Sequence, residues 1–211
     1  MSNLDLWNKV CKTDPRHTKK ANVGGNKITA ICPQYQRMNA TEQFGSFGDG
    51  WGVIDEKFDT KDFHDQTVLG SYNATFWYLL DGNKKQFPIY SNSKVAFNTA
   101  GGKYKIDDDW MKKCATDALT KGLSALGFNA DIFLGLFDDN KYVSQVSQEI
   151  AVKEKKTQDA IIEEAKAVLD KITDAKAIKP FYLALAPNIQ SAMFNLCEAK
   201  GKELKPKTEV E

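Results

Sequence analysis

Along the first hundred residues the apolar positions fall into short runs whose period changes several times. Leu6, Trp7, Val10 and Cys11 make one stripe of a short helix, with Asn3 or Asp5 as its cap, and Pro15 ends the pattern. A polar loop follows, turning at Val23-Gly24-Gly25, and the β-branched run "KITAIC" predicts a short strand. Pro33 then stands where a helix begins and Gly45 just past where it ends. The helix between them, "QYQRMNATEQF", places Tyr35, Met38 and Thr41 or Glu42 on one side. The glycine-dense, aromatic "FGSFGDGWGVI" leads into a strand starting near Trp51, and a charged turn is expected over 55–66. "TVLGSYNATFWYLL" alternates as a long strand, "DGN" at 81–83 is a hairpin signal, and "KKQFPIYSNSKVAF" is the returning strand. Pro88 requires that strand to lie at an edge or to bulge there.

Three antiparallel strands in a meander are the economical arrangement of these runs. "MKKCATDALTKGLSALG", Met111 to Gly127, then switches to a helical period. Asp107 or Asp108 is its expected N-cap, and Ala115, Ala118, Leu119, Gly122, Leu123 and Leu126 its apolar side. "ADIFLGLF" is a further apolar segment, a turn of helix or a strand, and residues 141–172 are helical in composition. "FYLALAPNIQSAMFNLCEAK" predicts another helix, interrupted at Pro187. The fold class expected is therefore α+β: a three-stranded antiparallel β-meander with a packed helix, N-terminal helices and a helical C-terminal extension. The expected organisation is a core domain over 1–140, a helical region over 141–200 and a disordered tail over 201–211.

With 211 residues and 42% hydrophobic side chains, the chain can bury a substantial core. Cys11, Cys32, Cys114 and Cys197 are scattered without a CxxC pair, which points away from a disulfide framework or a zinc site and towards a reducing, cytoplasmic setting. The N-terminal run "MSNLDLWNKVCKTD" has no apolar signal core, and no run approaches the ~18 apolar residues of a membrane span. Net charge is only +1, but its placement is uneven. Residues 12–37 hold Lys12, Arg16, Lys19, Lys20, Lys27 and Arg37 against Asp14 alone, whereas from Lys141 onward twelve basic residues face eleven acids. The Met111–Gly127 helix adds a side of cations and hydroxyls: Lys112, Lys113, Thr116, Thr120, Lys121 and Ser124, with Asp117 the single acid inside it. Such a side suits phosphate oxygens or, more plainly, water.

No GxxxxGK[ST] is present, so an ATP-driven motor is disfavoured, and no cofactor is implied. The acid clusters at 107–109 and 138–139 are the ones a metal-dependent nuclease would use, though capping and turn roles already account for them. His17 and His64 stand alone in polar segments and read as surface residues. No nucleophile, base and orienting acid can be assembled, and an enzyme is not expected. Trp51, Tyr72, Phe76, Trp77 and Tyr78 fit a sheet core as well as a stacking platform.

Three stretches, "WNKVCKTDPRHTKK", "ICPQYQRMNATEQFGSFGDGWGV" and "DDDWMKKCATDALTKGLSALGFNADIFLGLFDD", resemble phage-type single-strand annealing proteins of the Rad fifty-two superfamily. The resemblance spans roughly residues 7 to 142. It implies a β-β-β-α core and an ATP-independent, ring- or filament-forming homo-oligomer that binds single-stranded DNA in a basic groove and pairs it with a complementary strand. Carried across by position, Lys121 matches a basic groove residue of the family, while Thr120 and Ser124 stand where eukaryotic relatives are basic. Lys112 and Lys113, Lys19 and Lys20 before the first strand, Arg16, and Lys84 and Lys85 in the hairpin complete the expected DNA-binding set. The C-terminal third lies outside the resemblance; in this class such regions serve self-assembly or meet a partner exonuclease or single-strand-binding protein. A phage-encoded chain of this kind would act in the host bacterial cytoplasm. The alternatives left by the residues are a structural scaffold oligomer and, less well supported, a metal-dependent nuclease.

Overall fold

The alternation along residues 68–98 folds into the two longest strands of an antiparallel sheet. In the computed structural model, which describes residues 4–23, 25–63 and 66–204, the architecture is α+β. A short helix α1 (Asp5–Val10) and a 3-10 turn (Pro15–His17) precede a hairpin of β1 (Thr18–Val23) and β2 (Asn26–Ile31). Helix α2 (Pro33–Phe44) leads to a second sheet of β3 (Trp51–Asp62), β4 (Val68–Leu80), β5 (Asn83–Asn98) and β6 (Tyr104–Ile106), in that order, every neighbour antiparallel. Then come α3 (Trp110–Ala125), the single turn α4 (Ala130–Phe133), a 3-10 turn (Leu136–Asp138), and α5 (Asn140–Asp170), α6 (Ala175–Ala184) and α7 (Pro187–Glu203). The chain divides into units Met1–Val146 and Ser147–Glu211.

Several boundaries follow the local chemistry. Pro33 opens α2, and Gly45 closes it at φ 94°. Asp81 and Gly82, at φ 52° and 75°, make the turn between β4 and β5, where both central residues need positive φ. Pro88 lies on a stretch of β5 whose outer side is open, because β6 pairs only with Ala96–Asn98. Pro187 starts a new helix at its first turn instead of breaking one.

Other expectations are corrected. The charged segment 55–62 is strand, not turn: β3 absorbs the charges through a bulge between Ile54 and Lys57, with Asp55 at φ 57°. The polar segment around Lys19 and Lys20 is strand β1, in register with β2 from Thr18↔Ile31 to Val23↔Asn26. It has no apolar alternation because none of its described side chains is buried, so backbone pairing alone defines it. In α2 the buried residues are Gln36, Ala40 and Phe44, while Met38 is exposed. The cap of α3 is Asp109, which makes no side-chain cap bond; Asp107 instead accepts a hydrogen bond from the Asp109 N–H. Asp5 lies within the first turn of α1, the cap position being Leu4. Helix α7 carries the chain three residues into the expected tail; residues 205–211, Asn3 and His64 lie outside the described residues.

The core of the first unit lies between one face of the sheet and α2 and α3. Trp51, Tyr72, Ala74, Phe76, Tyr78 and Ile89 supply the sheet side, and Trp110, Cys114, Ala118, Leu119 and Leu123 the α3 side. Two glycines permit the close approach. A Cβ on Gly70 would run into the Trp110 ring and Val95, and one on Gly122 would lie 2.7 Å from Ile89 Cγ2. The second unit has its own core of Ala165, Leu169, Ile178, Ile189, Met193 and Cys197.

A polar knot joins the N-terminal segment to the turn after α3. Asp131, only 3% exposed, accepts hydrogen bonds from the Thr13 N–H (2.7 Å), the Thr13 hydroxyl (2.6 Å), the Tyr142 hydroxyl (3.0 Å) and the Ile132 N–H (2.9 Å). Asn129, at φ 58°, donates its side-chain amide to the Thr13 hydroxyl and its backbone N–H to the Val10 carbonyl.

Two stability effects are expected. Asp131→Ala leaves buried donors of Thr13 without an acceptor, at ~1–3 kcal/mol for each, and lowers the urea midpoint accordingly; a change under 0.5 kcal/mol, roughly the range of ordinary surface substitutions, would show the knot to be ornamental. Gly70→Ala forces the Trp110 ring off its seat and costs about 1–3 kcal/mol, read in the same titration.

Candidate nucleic-acid interface

The eight expected DNA-binding residues fall into three separate places. Arg16, Lys19 and Lys20 belong to the 3-10 turn and β1; Lys112, Lys113 and Lys121 to the outward side of α3; Lys84 and Lys85 to the start of β5.

On α3 the lysines are exposed, at 77%, 55% and 62% of their side-chain surface, but none stands without an acid. Lys112 meets Asp109 at 3.2 Å, Lys113 meets Asp107 at 2.6 Å, and Lys121 meets Asp117 at 2.7 Å. The basic side read from the sequence is thus a row of ion pairs: two acids just before the helix curl back onto its first turn, and Asp117 reaches Lys121 one turn along the helix. Hydrogen bonding from Lys113 holds the Asp107 carboxyl below the usual carboxylate range, and the same bond raises the Lys113 ammonium above its ordinary value. Exposed pairs of this kind contribute ~0–1 kcal/mol and are screened by salt, so a phosphate can replace the carboxylate at little cost. Two of these acids have a further donor: Asp117 accepts a 2.7 Å hydrogen bond from Ser91 of β5, and Asp107 accepts the Asp109 N–H.

The space between α3 and the sheet is filled by apolar side chains. The α3 lysines are therefore reached by an anion from the outward side of the helix, not from between helix and sheet. Thr116, Thr120 and Ser124 are half-buried along that helix, and the Ser124 hydroxyl donates to the Lys121 carbonyl.

In the hairpin, register separates neighbours. Lys20 pairs with Thr29 and donates to its hydroxyl at 2.8 Å and to the Phe137 carbonyl at 3.4 Å, tying β1 to the 3-10 turn after α4. Lys19, opposite Ala30, takes the other face of the hairpin and is exposed. Arg16 turns back on Asp14, donating Nε at 2.9–3.0 Å and Nη2 at 2.6 Å to the carboxylate. Its role here is to neutralise a carboxylate whose side chain is 9% exposed. Burial pushes the Asp14 carboxyl up, but the hydrogen bonds and charge of Arg16 outweigh it and hold it below its ordinary value. His17 stacks on Tyr35 at 4.2 Å, a packing role for a residue expected only at the surface.

Lys84 and Lys85 point to opposite faces of the large sheet. Lys85 is opposite Tyr78, on the helix-covered side; Lys84 stands 4.9 Å over the ring of Trp77, on the side away from α3. Trp77 itself lies across Gly52, whose absent Cβ would be 3.0 Å from the indole nitrogen. On the covered side, Tyr72 donates to Glu56 at 2.7 Å, and burial together with that carboxylate raises the phenol well above its ordinary value.

The acid clusters act locally: Asp107 and Asp109 bind the α3 lysines, and Asp139 accepts the Lys141 N–H. Among the described residues, no group of three or more His, Cys, Asp or Glu side chains is placed to hold a metal ion, and no helix is long and apolar enough to cross a membrane. The chain matches no protein-family model and no curated protein.

The Asp14–Arg16 pair sets a pH dependence with a definite sign. A carboxyl whose folded pKa is depressed stabilises the fold above its unfolded value, ~3.9, and that contribution disappears as pH falls through the folded value. Urea midpoints of wild type and Arg16→Ala are expected to differ by a constant amount above pH ~5 and to converge below pH ~4; a gap that widens on acidification would reverse the assignment.

Proposed function

We propose that the protein binds single-stranded DNA and anneals complementary strands without ATP, working as a homo-oligomer in phage recombination. The observation that carries this reading is the row of Lys112, Lys113 and Lys121 on a helix clamped to the sheet, each lysine exposed and held in an exchangeable ion pair. Fixed cations with weak internal partners neutralise phosphates without reading sequence, which is the requirement for annealing, since complementarity is checked by the bases themselves. The succession β3, β4, β5 and α3 supports the β-β-β-α core that the resemblance implies, with β6 as a short addition.

Lys19 on the outer face of the β1–β2 hairpin extends the cationic surface, and Lys85 stands at the β4–β5 turn on the same side of the sheet as α3. Self-association is supported by β3 at one edge of the sheet and by the exposed Phe133, Leu134 and Leu136. The α5–α7 unit would contact a partner exonuclease or single-strand-binding protein, and the place of action would be the bacterial cytoplasm.

Two complementary fluorescent oligonucleotides mixed with the protein, with no ATP and with or without magnesium, test the reading. Pairing faster than the spontaneous rate, without cleavage, is expected. The variant Lys19→Ala, Lys112→Ala, Lys113→Ala, Lys121→Ala should lose annealing and lower the salt slope of binding by about 3 if each lysine neutralises one phosphate at ~0.7 per contact. Its fold is checked by circular dichroism. Wild-type annealing by the folded variant would discard this site; absence of any strand binding would favour a scaffold, and magnesium-dependent cleavage a nuclease.

A further inference from the structure

The side of the large sheet turned away from α3 carries a second cationic surface with a different character. Strand register places Lys57, Asn73 and Tyr90 in one row across β3, β4 and β5, and Lys61, Leu69 and Lys94 in another. Lys84 and Trp77 lie farther along the same face. Of the residues paired in the β3–β5 ladder on this face, four are lysines and one, Asp59, is an acid. Of the other acids of β3, Asp55 and Glu56 sit at the bulge, where Glu56 is engaged by Tyr72 from the covered side, and Asp62, opposite Val68, alternates onto the covered face.

These lysines differ from those of α3 in what they touch. Lys61 stands 5.5 Å over the Phe63 ring, Lys84 4.9 Å over Trp77 and Lys94 5.4 Å over Phe97. An aromatic face orients an ammonium group without neutralising it, whereas each α3 lysine is opposed by a carboxylate. The open face therefore carries a net positive charge, four lysines against Asp59. Tyr90 stands among these cations with 70% of its surface exposed, an unusual position for an aromatic side chain in the longest strand of the sheet.

A face with net positive charge calls for a polyanion, and an exposed ring between the cations calls for one with planar groups to stack. Duplex DNA hides its bases, and an acidic peptide has no base for the ring. We infer that the open face of β3–β5 is a second single-stranded DNA surface, holding phosphates on Lys57, Lys61 and Lys94 and stacking a base on Tyr90. Only the identity of the strand as DNA rests on the function proposed above; the cations, the ring and their placement do not. Two faces on opposite sides of one sheet would let a single subunit hold one strand over α3 while another lies on the open side.

The test compares the full chain with two sets of exposed substitutions, using a labelled thymidine 20-mer over a range of salt. In the open-face set, Lys57→Gln, Lys61→Gln and Lys94→Gln together should reduce the salt slope by about 2, at ~0.7 per phosphate contact. Tyr90→Ala alone should weaken binding between about fivefold and about a hundredfold, as loss of one stacked base does, while Tyr90→Phe retains it. The second set, Lys112→Gln, Lys113→Gln and Lys121→Gln, reports on the α3 side. Loss in the open-face set, with circular dichroism unchanged, supports the inference whatever the α3 set does. Unchanged slope and affinity in the open-face set, with loss in the α3 set, overturns this inference and leaves the proposed function standing. Wild type that binds no 20-mer overturns both, and displacement of the 20-mer by polyglutamate of matched charge as effectively as by unlabelled 20-mer reassigns the face to acidic protein segments.

Discussion

Helix α3 lies against the sheet at two places where a side chain would not fit. The Trp110 ring occupies the space a Cβ would take at Gly70, and Ile89 does the same for Gly122. Between these seats Ala118, Leu119 and Leu123 close the layer, and Ser91 and Ser93 bond to Asp117 and Cys114. The polar side of α3 is thereby committed outward. The sheet face under α3 is filled by apolar side chains, and the side away from α3 holds exposed lysines and Tyr90.

The buried carboxylate of Asp131 fixes the remaining segment. By gathering donors from Thr13, Ile132 and Tyr142, it brings the residues just before the β1–β2 hairpin against the turn that follows α3. Lys20 continues the connection through the Phe137 carbonyl. A hairpin with so little buried surface owes its position to these polar anchors more than to packing, since burial of apolar area is what ordinarily holds strands in place.

Electrostatics then distinguishes the two lysine-bearing surfaces. On α3 each ammonium is balanced locally by an aspartate, and binding an anion there is an exchange of partners. On the open face of β3–β5 the ammonium groups of Lys61, Lys84 and Lys94 stand over rings, and binding an anion is an addition. Exchange favours turnover of contacts, and addition favours retention.

Local chemistry sufficed where a residue type permits few conformations or where a period is long. Pro33 and Gly45 marked α2, Asp81-Gly82 marked the hairpin, and the apolar stripe of α3 identified its buried side. It did not suffice where long-range partners decide. Strand β1 has no buried face to produce alternation, the charged half of β3 is kept extended by Tyr72 and its neighbours on β4, and Gln36 is buried in a helix of almost no amphipathicity. The candidate residues Lys112, Lys113 and Lys121 were legible from helical spacing, as was the i,i+4 pairing of Lys121 with Asp117, but the pairing of Lys112 and Lys113 with Asp109 and Asp107 depends on how the chain turns into the helix. Lys57, Lys61, Tyr90 and Lys94 become one surface only through strand register. Periodicity along a chain specifies which side of an element is apolar; which charges meet across elements is set by the tertiary fold, because Coulomb and hydrogen-bond energies depend on distances that sequence separation does not determine.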